Sequence, residues 1–181
     1  MMQHGKTALG IDIATDRVSV ALVERKGQDV RTVAARTAEL PIGETAAARS
    51  SRARIVSRLI AQVRRRGPRR GLEAALAISA EPMAMQLIDL PTPVPSNIND
   101  FVQAELRQYV PLSGKETVSD FSAVAAGARE GKRLFIAAAE RMQVCHALDL
   151  CGGAKGIVEA VEPAILSCAR ALIPGGAQGR S

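Results

Sequence analysis

Three strand-like segments follow one another before the chain reaches its first helical segment. Apolar residues alternate with small or polar ones over residues 7–13, and β-rich runs follow at 18–23 and 30–40. This two-residue period is the pattern of strands with one buried face. The short polar turn after the first segment joins it to the second as a hairpin. The chain is therefore predicted to begin with three consecutive strands of an antiparallel sheet.

The remainder of the chain alternates between helices and strands. Ile55, Leu59 and Val63 recur about every four residues with arginines between them, and Gly67 and Pro68 end this first helix. Further strands are predicted at 72–79, 83–91, 116–124, 133–139 and 156–161, and further helices at 96–109, 140–150 and 162–173. Strands joined through helices predict an α/β protein with a mixed sheet.

One helix and one strand, at residues 96–124, come between two predicted core strands. They are therefore expected to form a small inserted α+β subdomain, and the prolines Pro91, Pro93 and Pro95 would stiffen the joint that leads into it. The predicted domains are a discontinuous core of residues 1–91 and 129–173, an insertion of residues 92–128 and a flexible tail of residues 174–181.

Motifs for catalysis, metal binding and membrane insertion are missing from the sequence. Neither GxSxG nor the P-loop pattern GxxxxGK[ST] occurs, so no catalytic residue is predicted. The cysteines Cys145, Cys151 and Cys168 lack paired CxxC spacing and are predicted to be reduced thiols in the core, with no metal site. No apolar run approaches the length of a membrane span or a signal peptide, so a cytosolic chain is expected.

Positive charge is concentrated in one segment. The formal net charge is +6, and nine arginines occur from Arg49 to Arg70. Such a cluster is either a solvated helix face or a site for an anionic partner, which could be nucleic acid or the surface of an anionic membrane. Aromatic residues make up 2% of the chain, so the stacking surface of a single-strand binder is missing and nucleic acid is disfavoured.

The turn in ALGIDIATDRVSV is the place where a phosphate could bind. Ala14, Thr15 and Asp16 can offer backbone N–H groups, and Asp12 can hold a hydrated Mg²⁺ through water. In a purely structural interpretation, Asp12 caps the strand end and Asp16 organises the turn through an Asx-type hydrogen bond. The residues alone leave three possibilities open: a structural turn, a weak nucleotide contact and ATP hydrolysis.

Four segments, taken in order, carry a resemblance to a known family. They are GIDIATDRVSV, QLIDLPTPVPSNINDFVQAELRQYVPL, SDFSAV and RLFIAAAERMQVCHALDLCGGAKGIVEAVEPAILSCARAL. Together they resemble PilM, the actin-like protein family of type IV pilus assembly, which is related to FtsA within the actin-like ATPase superfamily. The resemblance covers residues 7–173 and implies a ribonuclease-H-like, actin-like mixed sheet with flanking helices and a small inserted α+β subdomain.

Two differences from that family bear on nucleotide binding. Ala14 stands where the family's first phosphate loop usually has glycine, and Ser19 stands where lysine is common. Alanine hinders the close approach of a phosphate that glycine allows. The relatives are also longer, and the chain resembles their first half, whereas their second half carries the other phosphate hairpin and the adenosine pocket.

The resemblance also implies a partner. Members of the PilM family take the cytoplasmic N-terminal peptide of PilN, a bitopic inner-membrane protein, in a groove between the core and the insertion. The residues expected to line that groove are Leu87, Leu90, Phe101, Leu106, Tyr109 and Phe121. The chain is expected to be a non-catalytic cytoplasmic adaptor, peripheral to the inner membrane, in a type IV pilus or type II secretion-like platform. The alternative is an actin-like ATPase completed by dimerisation or by a separate second half.

Overall fold

The computed structural model of the chain describes residues 6–43, 45–68, 72–79, 83–109, 116–124 and 133–172, without the side chains of residues 107–109, 153, 155 and 170–172. The chain divides into two compact units. Unit 1 comprises Met1–Ser79 and Cys145–Ser181, and unit 2 comprises Ala80–Val144.

The described residues form strands and helices in the predicted order. The strands are β1 (Lys6–Ile13), β2 (Arg17–Lys26), β3 (Asp29–Glu39), β4 (Glu73–Ile78), β5 (Met83–Asp89), β6 (Thr117–Val124), β7 (Arg133–Glu140) and β8 (Val158–Pro163). The α-helices are α1 (Ala46–Arg64), α2 (Ile98–Tyr109), α3 (Arg141–Leu150) and α4 (Ala164–Leu172), with a short 3-10 helix at Gly152–Ile157. None of these helices combines the length and the apolar character needed to cross a membrane.

Unit 1 contains a five-stranded mixed sheet in the order β3-β2-β1-β4-β8. β1 pairs antiparallel with β2 and parallel with β4, and β3 is antiparallel to β2. β8 is parallel to β4. The antiparallel beginning and the mixed sheet predicted from the sequence are therefore both present.

Helix α1 packs against β2 and β3 of this sheet. It begins after Thr45, whose hydroxyl accepts a hydrogen bond from the Ala48 N–H at 3.1 Å and so caps the first turn. Its buried residues follow the spacing of a single helix face, and they are Val56, Leu59, Ile60 and Val63. The buried residues of the two central hairpin strands are Leu9, Ile11, Ile13, Val18, Val20 and Leu22. These side chains form the hydrophobic core on the α1 side of the sheet.

Unit 2 contains a three-stranded antiparallel sheet in the order β5-β7-β6. Helix α2 begins after Asn97, whose side-chain oxygen accepts a hydrogen bond from the Asp100 N–H at 3.3 Å. The helix packs on one face of the sheet, and the buried cluster is Ile88, Val102, Leu106, Leu134, Ile136 and Ala138. Unit 2 therefore has its own core on the α2 side.

The division into units differs from the predicted insertion of residues 92–128. The prediction places β5 and β7 in the core, but they pair with each other and β7 pairs with β6, so all three strands belong to unit 2. β7 is strongly apolar because it is the central strand of this small sheet. The predicted tail, residues 174–181, lies outside the described residues.

The three cysteines are free thiols with different environments. Cys151 is buried, and its thiol donates a hydrogen bond to the Ala147 carbonyl oxygen at 3.4 Å. Burial raises the pKa of the Cys151 thiol to about 11. Cys145 and Cys168 are exposed, so the prediction of a core position is wrong for these two residues.

Candidate functional site

Backbone hydrogen bonds close the turn between β1 and β2. The Ala14 N–H donates to the Arg17 carbonyl oxygen at 2.9 Å, and the Leu40 N–H donates to the Asp16 carbonyl oxygen at 2.7 Å. The first bond occupies one of the three N–H groups predicted to face a phosphate. Thr15 and Asp16 therefore supply the remaining candidate N–H donors of this turn.

Asp12 and Asp16 differ from their predicted structural roles. The Oδ1 atom of Asp12 is buried and has no hydrogen-bond partner among the described residues. An Asx-type bond from Asp16 is also not among the hydrogen bonds found in the described part of the chain, and the Asp16 side chain is exposed. Because a buried carboxylate oxygen without a partner is unfavourable, Asp12 is suited to accept a bond from a bound group or from metal-held water.

Arg52 of α1 reaches the same turn, a contact that the sequence pattern does not reveal. Its Nη2 donates to the Ala14 carbonyl oxygen at 3.5 Å, and its Nε is buried without a hydrogen-bond partner among the described residues. The side chain is half-buried, whereas Arg54 and Arg58 on the same helix are exposed. Arg52 thus supports the turn from the helix side, and only the packing of α1 distinguishes it from the neighbouring arginines.

Of the six residues predicted to line a peptide groove, the five whose side chains are described do not share one surface. Leu106 is buried in the unit 2 core, and Leu90, Phe101 and Phe121 pack against that core. The side chain of Tyr109, at the end of α2, is outside the described part of the chain. Leu87 differs from the others because 49% of it is exposed. It lies on the side of β5 opposite Ile88, since successive strand residues point to opposite faces.

The exposed side of the unit 2 sheet has an apolar patch around Leu87. Met85, two residues earlier on β5, is 41% exposed, and Phe135 of β7 is the register partner of Leu87. Directly opposed residues share a sheet face, so these three side chains form one patch, called the β5 patch below. Asp89 and Arg133 pair beside it through a hydrogen bond of 2.5 Å between Oδ1 and Nε. The β5 patch is therefore apolar with a charged border.

The sequence matches the family model of the type IV pilus assembly protein PilM over residues 10–166 of its 181 residues. No curated protein sequence matches the chain.

Solved structures with a similar fold include the following two. The PilM-PilN type IV pilus biogenesis complex gives a TM-score of 0.64 and 22% identity over 86% of this chain and 46% of that one. The second is the cytoplasmic domain of EpsL, an inner-membrane component of the type II secretion system of Vibrio cholerae. It gives a TM-score of 0.53 and 11% identity, over 89% of this chain and 58% of that one. The chain thus spans about half the length of the structures it matches.

These similarities confirm the predicted actin-like mixed sheet with flanking helices. The family match extends over most of both units and includes the β1–β2 turn and the β5 patch. The chain therefore belongs to the type IV pilus assembly protein PilM family.

Proposed function

We propose that the chain is a non-catalytic adaptor of a type IV pilus assembly platform that binds an extended peptide of a PilN-like membrane protein along β5. Membership of the PilM family supports the assembly role, and one of the similar structures is a complex of PilM with PilN. The observation that carries the proposed site is the exposure of Met85 and Leu87 on an edge strand.

An edge strand offers a peptide two kinds of contact. The outer N–H and C=O groups of β5, which pair with no strand among the described residues, can hydrogen bond to an added strand. Its exposed side chains can select the peptide's alternate residues. β5 has seven residues, a length of about 23 Å at the rise of a strand. The other edge of the sheet, β6, carries the exposed polar residues Asp120 and Ser122. β5 is therefore the more suitable edge for an apolar peptide.

The partner determines where the adaptor works. A bitopic inner-membrane protein with a short cytoplasmic N-terminus would hold the chain at the cytoplasmic face of that membrane. Apolar contacts with Met85, Leu87 and Phe135 would supply affinity, because burial of large apolar side chains dominates most peptide interfaces. The Asp89–Arg133 pair would border the peptide and favour one register.

The test is a calorimetric titration of the chain with a synthetic N-terminal peptide of the PilN-like protein encoded in the same genome. The change Leu87→Ser should weaken binding at least about tenfold, the effect of losing about 1.4 kcal/mol. The matched control is Val124→Ser, on β6 of the same sheet and 39% exposed, which should leave affinity nearly unchanged. Unchanged affinity of Leu87→Ser would rule out the β5 patch as the peptide site.

Nucleotide contact at the β1–β2 turn is the alternative function, and the buried, unpartnered Oδ1 of Asp12 favours it. Asp12 would orient water on a magnesium ion, and the Thr15 and Asp16 N–H groups would contact a phosphate. Ala14 contributes no free N–H, since its own is bonded to Arg17. A turn with so few donors would need a dimer or a separate second half to enclose a triphosphate.

Titration with Mg-ATP distinguishes the two functions. The adaptor proposal predicts no micromolar binding by the chain alone. Micromolar binding that is lost in Asp12→Ala but kept in Leu87→Ser would instead support the nucleotide function.

A further inference from the structure

A row of arginines runs along the outer side of α1. With about 100° between successive helical residues, Arg54, Arg58 and Arg65 lie within about 40° of one another and opposite the buried face. All three are exposed, and Arg65, the C-cap residue, retains a helical conformation. The row extends about 16 Å along the helix axis. These three residues are called the arginine row below.

Acidic residues do not compensate this charge. The sequence contains no Asp or Glu from residue 45 to residue 72. Elsewhere in the described chain, Arg31, Arg133 and Arg141 form ion pairs with carboxylates, whereas none of the described arginines of α1 does so. The arginine row is therefore a concentrated positive charge that is open to a partner outside the chain.

Helix stability accounts for Arg65, which lies at the negative C-terminal end of α1, but not for Arg54 and Arg58. Arg54 and Arg58 are four residues apart, a spacing at which like charges destabilise a helix. An external anion would relieve this repulsion.

The side chains around the arginine row indicate what kind of anion it binds. The exposed residues beside the row are Ser57, Ala61 and Gln62, so no large apolar anchor is present there for a folded protein partner. No aromatic residue occurs from residue 45 to residue 72 to stack on a nucleic-acid base. A surface of mobile phosphate headgroups requires only accessible positive charge.

We propose that the arginine row binds the headgroups of an anionic membrane. This contact is separate from the β5 patch, and it goes beyond the proposed function because it does not require the peptide partner. Lipid and partner contacts on one chain would strengthen each other, since the first binding event raises the local concentration for the second.

The test is co-sedimentation of the purified 181-residue chain with phosphatidylcholine vesicles that either contain or lack phosphatidylglycerol. Binding should require phosphatidylglycerol and should weaken as the salt concentration rises. The change Arg54→Gln/Arg58→Gln should reduce the partition coefficient about 30-fold, or about fivefold for each arginine. This double variant should keep the wild-type far-UV circular dichroism, because glutamine is a good helix former.

Two further variants serve as controls. Lys6→Gln/Arg25→Gln removes the same charge from two exposed residues that are register partners on β1 and β2. It should cause a much smaller loss of vesicle binding. Arg54→Lys/Arg58→Lys should retain binding, because lipids respond to charge and not to the bidentate geometry of arginine. The proposal would be overturned if the two Gln variants lost binding equally or if the Lys variant lost binding. Equal binding to vesicles with and without phosphatidylglycerol would also overturn it. Tighter binding to duplex DNA than to vesicles at matched phosphate would also overturn it.

Discussion

The edge strands β3 and β5 differ in how strongly they discourage a further strand from pairing with them. β3 is exposed along nearly its whole length, but it carries Arg31 and Arg36, and its register with β2 shifts between Leu22 and Val23. Charges and bulges of this kind discourage a further strand from pairing. β5 is in register with β7 throughout and exposes Met85 and Leu87. The chain thus protects one edge and leaves an apolar edge at the other, as a peptide-binding strand requires.

Substitutions on the two sides of β5 should give the largest difference in the free energy of unfolding. Ile88 is 8% exposed and packs in the unit 2 core, whereas its neighbour Leu87 is 49% exposed. Ile88→Ala should lower the free energy of unfolding by about 2 to 5 kcal/mol through lost burial and a cavity. Leu87→Ala should lower it by less than about 1 kcal/mol, because half of that side chain is already in water. Urea denaturation measures both values, and similar losses would contradict the assignment of faces.

The cap of α2 provides a test of intermediate size, because this helix covers the inner side of the β5 sheet. The Asn97 side chain accepts a hydrogen bond from the Asp100 N–H and donates one to the Asp100 carboxylate at 2.7 Å. Asn97→Ala should therefore reduce stability by about 1 kcal/mol, as measured by urea denaturation. Ser96→Ala is the matched control, because serine is also common at helix N-caps but the hydrogen bond to the first turn comes from Asn97. A larger loss from Ser96→Ala would refute this assignment.

The order of elements was predictable from the sequence, but the pairing of β5 and β7 was not. Their alternating and apolar patterns identify strands, yet pairing depends on residues far apart in the chain. A strand with a partner on each side has an apolar sequence whether it lies in a large sheet or a small one. The pattern of β7 therefore indicated a central strand correctly and its sheet incorrectly.

The candidate sites were less predictable because each depends on which face a helix covers. On β5 the larger residues Met85 and Leu87 point outward, while Ala84 and Ile88 lie on the side that α2 covers. Side-chain size alone would select the opposite face as the core. Arg52 presents the same difficulty, since its contact with Ala14 arises only when α1 packs beneath the turn. Periodicity identifies the two faces of an element, and tertiary packing decides between them.

The ion pair between the edge strand β3 and its neighbour β2 should have the smallest effect on stability. Arg31 of β3 donates to Glu24 of β2 through Nε at 2.7 Å, and this hydrogen bond lowers the pKa of the Glu24 carboxyl below its ordinary value. A carboxyl whose folded pKa is depressed stabilises the folded state above its unfolded pKa of about 4.3. That contribution is lost as the pH falls through the lower folded pKa, and water screens it because the pair is at the surface.

The measurement is an NMR titration of the Glu24 carboxyl carbon. Arg31→Gln should return the pKa of Glu24 toward the ordinary value, because it removes the strongest of the interactions that lower it. Lys26→Gln should produce a smaller change, since the Lys26 Nζ is 3.7 Å from the carboxylate and makes a weaker contact. If Glu24 titrates at its ordinary pKa in the wild-type chain, the ion pair does not hold β3 in solution. The protection of this edge would then depend on the register shift and on the remaining charges of the strand.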